Sequence, residues 1–247
     1  VLELYLLIVF AAAFLQGLAG FGFGLLSMSV LPFFVPVRLA VVLISVLRVV
    51  PVITLLIQLW RHVSLKRVGP LLAGALLGVP LGVWFLRAAS PTAVRITLGL
   101  VLTGYAVWAL LRRAPAERGA PREPAAGWGL LAGGVGGALG GGFNTGGPPV
   151  VLYAALAGWQ RDVLRASLAS YLFTVIAIQL SLFVWQGVLD LAVLRVQALA
   201  VPVVVLGTWL GSKLASRVPQ ERFQRGILLL ILVLGVTFLW RSLNALG

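Results

Sequence analysis

The chain has no cysteine, one histidine (His62), one methionine (Met28) and only six acidic residues among 247. Without cysteine there is no disulfide scaffold and no thiol chemistry. One histidine and one methionine leave no converging ligand set for a transition metal, so neither metal nor cofactor is expected. The six acids are Glu3, Glu117, Glu123, Asp162, Asp190 and Glu221, and all fall in loops, in one polar gap or at the ends of apolar stretches. A carboxylate cation site or proton relay in a bilayer needs acids at depth. Metal and organic-cation transport are therefore excluded, and only a substrate or an arginine remains to carry charge there. Charge of both signs is scarce as well. Charged residues make up 10% of the chain, against about 25% in soluble domains.

What is present is apolar. Hydrophobic residues are 61% of the chain, the mean hydropathy is +1.08 and the net charge is +13. A soluble protein of this size must clothe its surface in polar side chains, so the chain reads as a polytopic membrane protein. Most of the 19 Lys and Arg sit in short gaps between apolar runs, where basicity sets orientation. With no polar domain to read bases, nucleic acid is excluded as a partner. Eight apolar stretches can be drawn, at about 2–35, 39–60, 69–89, 93–111, 127–158, 163–187, 191–212 and 226–240. Each is near or above the ~20 residues needed to cross the hydrocarbon core. The one long polar gap, 112–126, holds three prolines and six charges and is expected to be a flexible linker. It divides the chain into a first membrane repeat, 1–111, and a second, 127–247.

The halves repeat each other. Gly17, Gly20 and Gly22 align with Gly137, Gly140 and Gly142 at an offset of 120, Trp60 with Trp185, Gly78 and Gly82 with Gly207 and Gly211, and Pro91 with Pro219. If every stretch crosses once, the basic residues divide nine to nine between the two sides. If the two glycine-broken stretches enter and return, the second half is inverted, and thirteen basic residues, with Arg161 and Arg165 among them as loop charges, gather on the linker side. The other side keeps Arg38, Arg87, Arg95, Arg195 and Arg241. That bias is the one membrane orientation favours. The expected fold is an all-α polytopic membrane protein of two inverted-topology repeats. Each has a Gly-broken segment, re-entrant or discontinuous, plus three transmembrane helices. The linker is placed in the cytoplasm and both termini in the periplasm. Ala11-Ala12-Ala13 looks like a signal-peptide cleavage site, but no basic n-region precedes it, and the stretch is read as mature protein.

Two glycine clusters mark candidate sites. Eleven glycines lie between Gly127 and Gly147, followed by Pro148 and Pro149, and glycine costs about 0.8–1.0 kcal/mol in a helix relative to alanine. Broken backbone at membrane depth survives only where protein buries it or where it lines a cavity. Matching discontinuous segments in two halves point to a transporter's midplane site, where half-helix N-termini favour anions. The four-residue spacing of Gly74, Gly78 and Gly82, and of Gly207 and Gly211, reads instead as close helix packing. Arg48, near the centre of its stretch with Pro51 following, is the one central charge. Its burial costs about 2.5–3.5 kcal/mol on insertion scales, and a guanidinium suits a planar or pyramidal oxyanion. Hydroxyl and amide candidates are Gln16, Ser27, Ser29, Thr54, Gln58, Asn144, Thr145, Ser167, Ser170, Tyr171, Thr174 and Gln179. Trp60, Trp128, Trp185 and Trp240, at stretch ends, are expected interfacial anchors.

The repeated pattern, with GLAGFGFGLLSMSVLP from Gly17 and GGALGGGFNTGGPPVVLY from Gly136, resembles the sulfite exporter TauE/SafE family over almost the whole chain, from about Leu6 to Trp240. The resemblance implies export of small sulfur oxyanions and organosulfonates, such as sulfite, across a bacterial inner membrane. The first motif departs from many relatives in carrying Phe21 and Phe23 between its glycines. The expected substrate-binding set is Arg48, Gly20, Gly22, Phe23, Gly24, Ser27, Phe143, Asn144, Thr145, Gly146, Gly147, Tyr171 and Thr174. Partners are then a small anionic substrate and the lipid bilayer, with a homodimer left open. An enzyme is not expected, because the lone His62 lies in a basic loop away from any serine at depth. An anion channel would use the same groups, as would a transporter of another small organic anion. Arg48 and the two glycine motifs are expected to converge on one pocket.

Overall fold

The structure is a computed structural model that describes residues 2–111, 125–189, 191–215 and 220–244. The expected linker lies almost wholly outside the described residues. Ten helices run in chain order: α1 (Leu2–Ala19), α2 (Phe23–Val30), α3 (Val37–Leu59), α4 (Leu65–Ala88), α5 (Pro91–Leu111), α6 (Ala126–Phe143), α7 (Gly147–Leu156), α8 (Arg161–Trp185), α9 (Leu191–Leu214) and α10 (Gln220–Asn244). The described residues contain no strand. Six of these helices, α3, α4, α5, α8, α9 and α10, are long and apolar enough to cross a bilayer. At 1.5 Å per residue, the 8 residues of α2 and the 10 of α7 reach only about 12–15 Å, half of a hydrocarbon core.

Backbone chemistry sets where the helices stop. Pro36 holds an extended conformation and starts α3, and Pro91 opens α5, where its missing N–H costs nothing. α1 ends into Gly20 (φ 85°) and Gly22 (φ 116°), and α6 ends into Asn144 (φ 59°). Left-handed residues at a C′ position suit glycine or asparagine. The helix boundaries also correct the repeat register. α1 and α6 end at 19 and 143, α2 and α7 begin at 23 and 147, and α3 and α8 begin at 37 and 161. The offset is 124 at these boundaries, against the 120 read from the glycines, and grows to 126 between the starts of α4 and α9 and to 129 between those of α5 and α10. Gly20 therefore corresponds to Asn144, and Arg48 to Leu172. Glycine identity misled the alignment because α6 is rich in glycine for a second reason, packing.

That packing is unusually close. A Cβ on Gly74, Gly78 or Gly82 of α4 would overlap the carbonyl oxygens of Leu130, Gly134 and Ala138 of α6, in that order. The two helices thus lie side by side and run the same way. α1 and α9 repeat the arrangement, with Gly207 against Phe10 and Gly211 against Phe14. The partners Phe10 and Gly134 are again 124 apart, so the expected role of these stripes in helix packing holds. Around these pairs, α3 packs on α8 and α5 on α10. The start of α3 is pinned to the end of α4 by Arg38, which donates to the carbonyls of Leu86 (2.9 Å), Arg87 (3.2 Å) and Ala89 (2.6 Å). The two ends of the molecule differ in one respect. α10 rests on α2, with Phe238 edge-on to Phe33 at 5.4 Å, whereas an apolar groove of about 940 Å³ separates α5 from α7. Large apolar side chains cover the outside, and the stretch-end tryptophans Trp60, Trp128, Trp185 and Trp240 are all exposed.

Replacing Gly78 with leucine drives a side chain into the α6 backbone, and overpacking of this kind costs about 1–3 kcal/mol. The expected result is loss of monodisperse protein and a lower unfolding temperature in detergent. The same substitution at Gly104, where a Cβ meets open space, should leave both unchanged.

Candidate functional site

The deepest polar cluster lies where α3 crosses the end of α6. Arg48, Ser45 and Val41 share one face of α3, spaced three and four residues apart. Arg48 is 2% exposed, and its Nη1 donates to the Asn144 carbonyl at 2.9 Å and to Asn144 Oδ1 at 3.3 Å. Asn144 Nδ2 donates in turn to the Val41 carbonyl at 2.9 Å. Ser45 Oγ sits 2.6 Å from the Val41 carbonyl and 3.1 Å from Asn144 Oδ1, sharing its single proton between them. The left-handed turn after α6 is thus fastened to α3 through both the backbone and the side chain of Asn144.

Arg48 is nonetheless not satisfied. Its Nε and Nη2 have no hydrogen-bond partner among the described residues, and its two hydrogen bonds go to neutral oxygens. A buried guanidinium without a counter-ion is costly, on the order of several kcal/mol. It lines a cavity of about 10 Å³ together with Gln16, Gly22, Gly24, Asn144, Thr145 and Gly147, closed by Phe21, Leu25 and Leu172. Such a volume holds about one water.

The two breaks contribute differently. The first intrahelical bond of α2 runs from Leu26 N–H to the Gly22 carbonyl, so the amides of Gly24 and Leu25 have no acceptor within the helix. Gln16 reaches across the same turn, its Oε1 accepting from Phe23 N–H at 3.1 Å. In the second break the Thr145 amide is already given to the Leu139 carbonyl, and Pro148 and Pro149 have no N–H to offer. Both motifs thus keep amides with no acceptor in their own helix, Gly146 and Gly147 in the second, and the second also supplies the anchor for Arg48. The breaks also touch, since a Cβ on Gly24 would overlap the Asn144 carbonyl.

Of the expected set, Arg48, Gly22, Gly24, Asn144, Thr145 and Gly147 meet in this cavity. The others surround it without lining it. Gly20 packs on the Arg165 side chain, and Gly146 on the α6 backbone. The Phe23 ring is core, and Phe143 stacks edge-on against Phe85 at 6.1 Å. Tyr171 Oη donates to the Gly133 carbonyl at 2.8 Å, while Thr174 bonds back to its own helix. Ser27 is fully buried one turn further along α2, its hydroxyl without a partner among the described residues. Ser45 went unread because a serine bonded to its own helix looks structural, although its place three residues before Arg48 is the available signal. Arg165, counted as a loop charge, is buried and donates to the Gly17 carbonyl at 2.8 Å, near the end of α1. Each of the equivalent helices α3 and α8 thus sends an arginine to the helix end of the other half.

A helical bundle with six helices long and apolar enough to cross a bilayer, and with two helix breaks beside a buried arginine, has the build of a membrane transporter. The chain belongs to the sulfite exporter TauE/SafE family, whose sequence profile matches residues 5–238. It is 30% identical over 210 residues to a protein of Cupriavidus necator described as a probable sulfite/organosulfonate exporter TauE, covering 82% of this chain and 80% of that protein. It is 28% identical over 190 residues to a probable inner membrane transporter protein TsaS of Comamonas testosteroni, covering 74% and 76%. No solved structure matches the chain.

Asn144→Gly keeps the left-handed turn and removes the three side-chain contacts, whereas Asn144→Ala also forces alanine to a positive φ, at about 1–2 kcal/mol. The expected order of thermal stability is wild type, then the glycine variant, then the alanine variant. Equal unfolding temperatures for all three would show that the tether to α3 carries no weight.

Proposed function

We propose that the protein exports small sulfur-containing anions, sulfite or organosulfonates, across a bacterial inner membrane by alternating access around the Arg48–Asn144 cavity. The observation that carries this reading is the half-satisfied Arg48 guanidinium, buried with no carboxylate bonded to it. A bound oxyanion would take its free Nε and Nη2, and the open amides at the start of α2 would face the same charge. Arg48, Gly22, Gly24, Asn144, Thr145 and Gly147 form the binding surface in this reading. Gly20, Phe23, Ser27, Phe143, Gly146, Tyr171 and Thr174 hold its walls. The printed activities of the two relatives, sulfite and organosulfonate export and inner-membrane transport, agree with the substrate class and the membrane.

Two inverted repeats, 1–111 and 127–247, joined by a cytoplasmic linker, are the frame for this mechanism. In support, α4 runs with α6 and α1 with α9, while the start of α3 lies beside the end of α8 around one cavity. These directions oppose the first half to the second, with the termini in the periplasm and α2 and α7 as half-depth segments. Rocking one bundle against the other about a fixed site is how such folds alternate access. A cavity of about 10 Å³ is far below the size of a sulfur oxyanion, so substrate enters only when the bundles part. That favours a carrier over a channel.

Purified protein in liposomes should show saturable sulfite flux that is accelerated by sulfite on the opposite side. Arg48→Ala should lower flux at least about tenfold, the equivalent of 1.4 kcal/mol, without changing the elution profile. Arg48→Lys should recover little, because an ammonium cannot hold both Asn144 and a substrate oxygen in the same plane. Flux that does not saturate and shows no counterflow would convert the reading to a channel. Unchanged flux in Arg48→Ala would remove the arginine from the site.

A further inference from the structure

A second cavity, of about 250 Å³, opens at the end of the bundle where α3 begins and α4 and α8 finish. Arg38 and Arg87 stand in its wall with Gln186, and its apolar lining includes Val42, Val83 and Phe183. Each apolar residue lies one turn or less from a contact with the second break. Val42 follows Val41, which accepts from Asn144. Val83 follows Gly82, packed against Ala138 and Gly142. Phe183 lies four residues after Gln179, whose Nε2 donates to the Gly140 and Gly141 carbonyls. The three helices that grip the end of α6 therefore continue outward as the walls of this cavity. Arg38 and Arg48 are ten residues apart on α3, about 15 Å along its axis.

The charge here runs against the rule for orientation. Basic side chains are depleted on the translocated face, yet two of the five assigned to that face share one cavity. Arg38 is fixed by three carbonyls at the end of α4. Arg87, on the same helix, is exposed. Val42, Val83 and Phe183 are each at most 6% exposed.

We infer that this cavity is the outer vestibule of the path, a weak site where Arg38 and Arg87 gather sulfur oxyanions or sulfonates, shut off from Arg48 by Val42, Val83 and Phe183. The inference rests on the proposed anion transport and on the proposed orientation. A vestibule of this kind concentrates one sign of ion whether or not the inner gate opens.

The absence of cysteine makes a direct test available. Gln186→Cys places a single thiol in the wall, with Val188→Cys as a second reporter should the first fail to fold. In right-side-out vesicles, the thiol is labelled with methanethiosulfonates of similar size, one bearing a sulfonate and one a trimethylammonium group. Rates are taken relative to those with a free small thiol. A potential of about one kT would favour the anionic reagent roughly sevenfold over the cationic one. Adding Arg87→Gln should bring the ratio most of the way to one, added salt should do the same, and ethanesulfonate should slow the anionic reagent. A ratio near one that Arg87→Gln does not move overturns the vestibule, as does labelling only from the linker side. If the ratio holds while sulfite flux is absent, the vestibule stands and the transport reading falls.

Discussion

The two helix breaks of this bundle meet beside one buried guanidinium, that of Arg48. A buried guanidinium is tolerated when neutral dipoles hold part of it and something else neutralises the remainder. Here the dipoles are the end of α6 and the Asn144 side chain, brought to α3 by a left-handed turn. The remainder is left to whatever enters the cavity. Carboxylates would have satisfied Arg48 permanently, and the chain places none at the middle of an apolar stretch. On the proposed reading the charge is thereby kept available, and the stability it costs is recovered elsewhere in the fold.

The proposed two-repeat frame accounts for the shape of the site and also for where its symmetry fails. Arg48 and Leu172, at matching positions by the helix boundaries, both line the cavity, which in that frame sets it near the axis relating the halves. One half contributes the charge and the other an apolar wall. The breaks divide their work in the same manner, the first capped by Gln16 on the Phe23 amide and the second tied to α3 through Asn144. A symmetric site with two such arginines would double the cost of burying a guanidinium without a counter-ion. The second buried arginine, Arg165, sits about two turns from the Leu172 position and serves the end of α1 instead.

Much of this was readable beforehand. Long apolar runs gave the six crossing helices to within a few residues, because twenty apolar positions admit few other uses. The four-residue glycine spacing of α4 and α9 announced close packing, and Arg48 announced itself by being alone. What stayed hidden were features that depend on which neighbour a residue meets. The glycines of α6 serve a packing face as well as a break, which shifted the repeat register by four. Arg165 begins a helix and so read as a loop charge. Ser45 and the idle amides of α2 have no compositional signature, since a hydroxyl or an N–H becomes noteworthy only when its partner is known.

The pairing of α4 with α6 and of α1 with α9 has a consequence for biosynthesis. Each tight pair joins a helix from one half of the chain to a helix from the other. While the ribosome is still making the second half, the glycine face of α4 waits in lipid for α6, and that of α1 waits for α9. The first half therefore cannot finish folding as it is inserted, and its exposed stripes are open to wrong partners for the whole interval. A gene split at the linker would encode two fragments that mature only together.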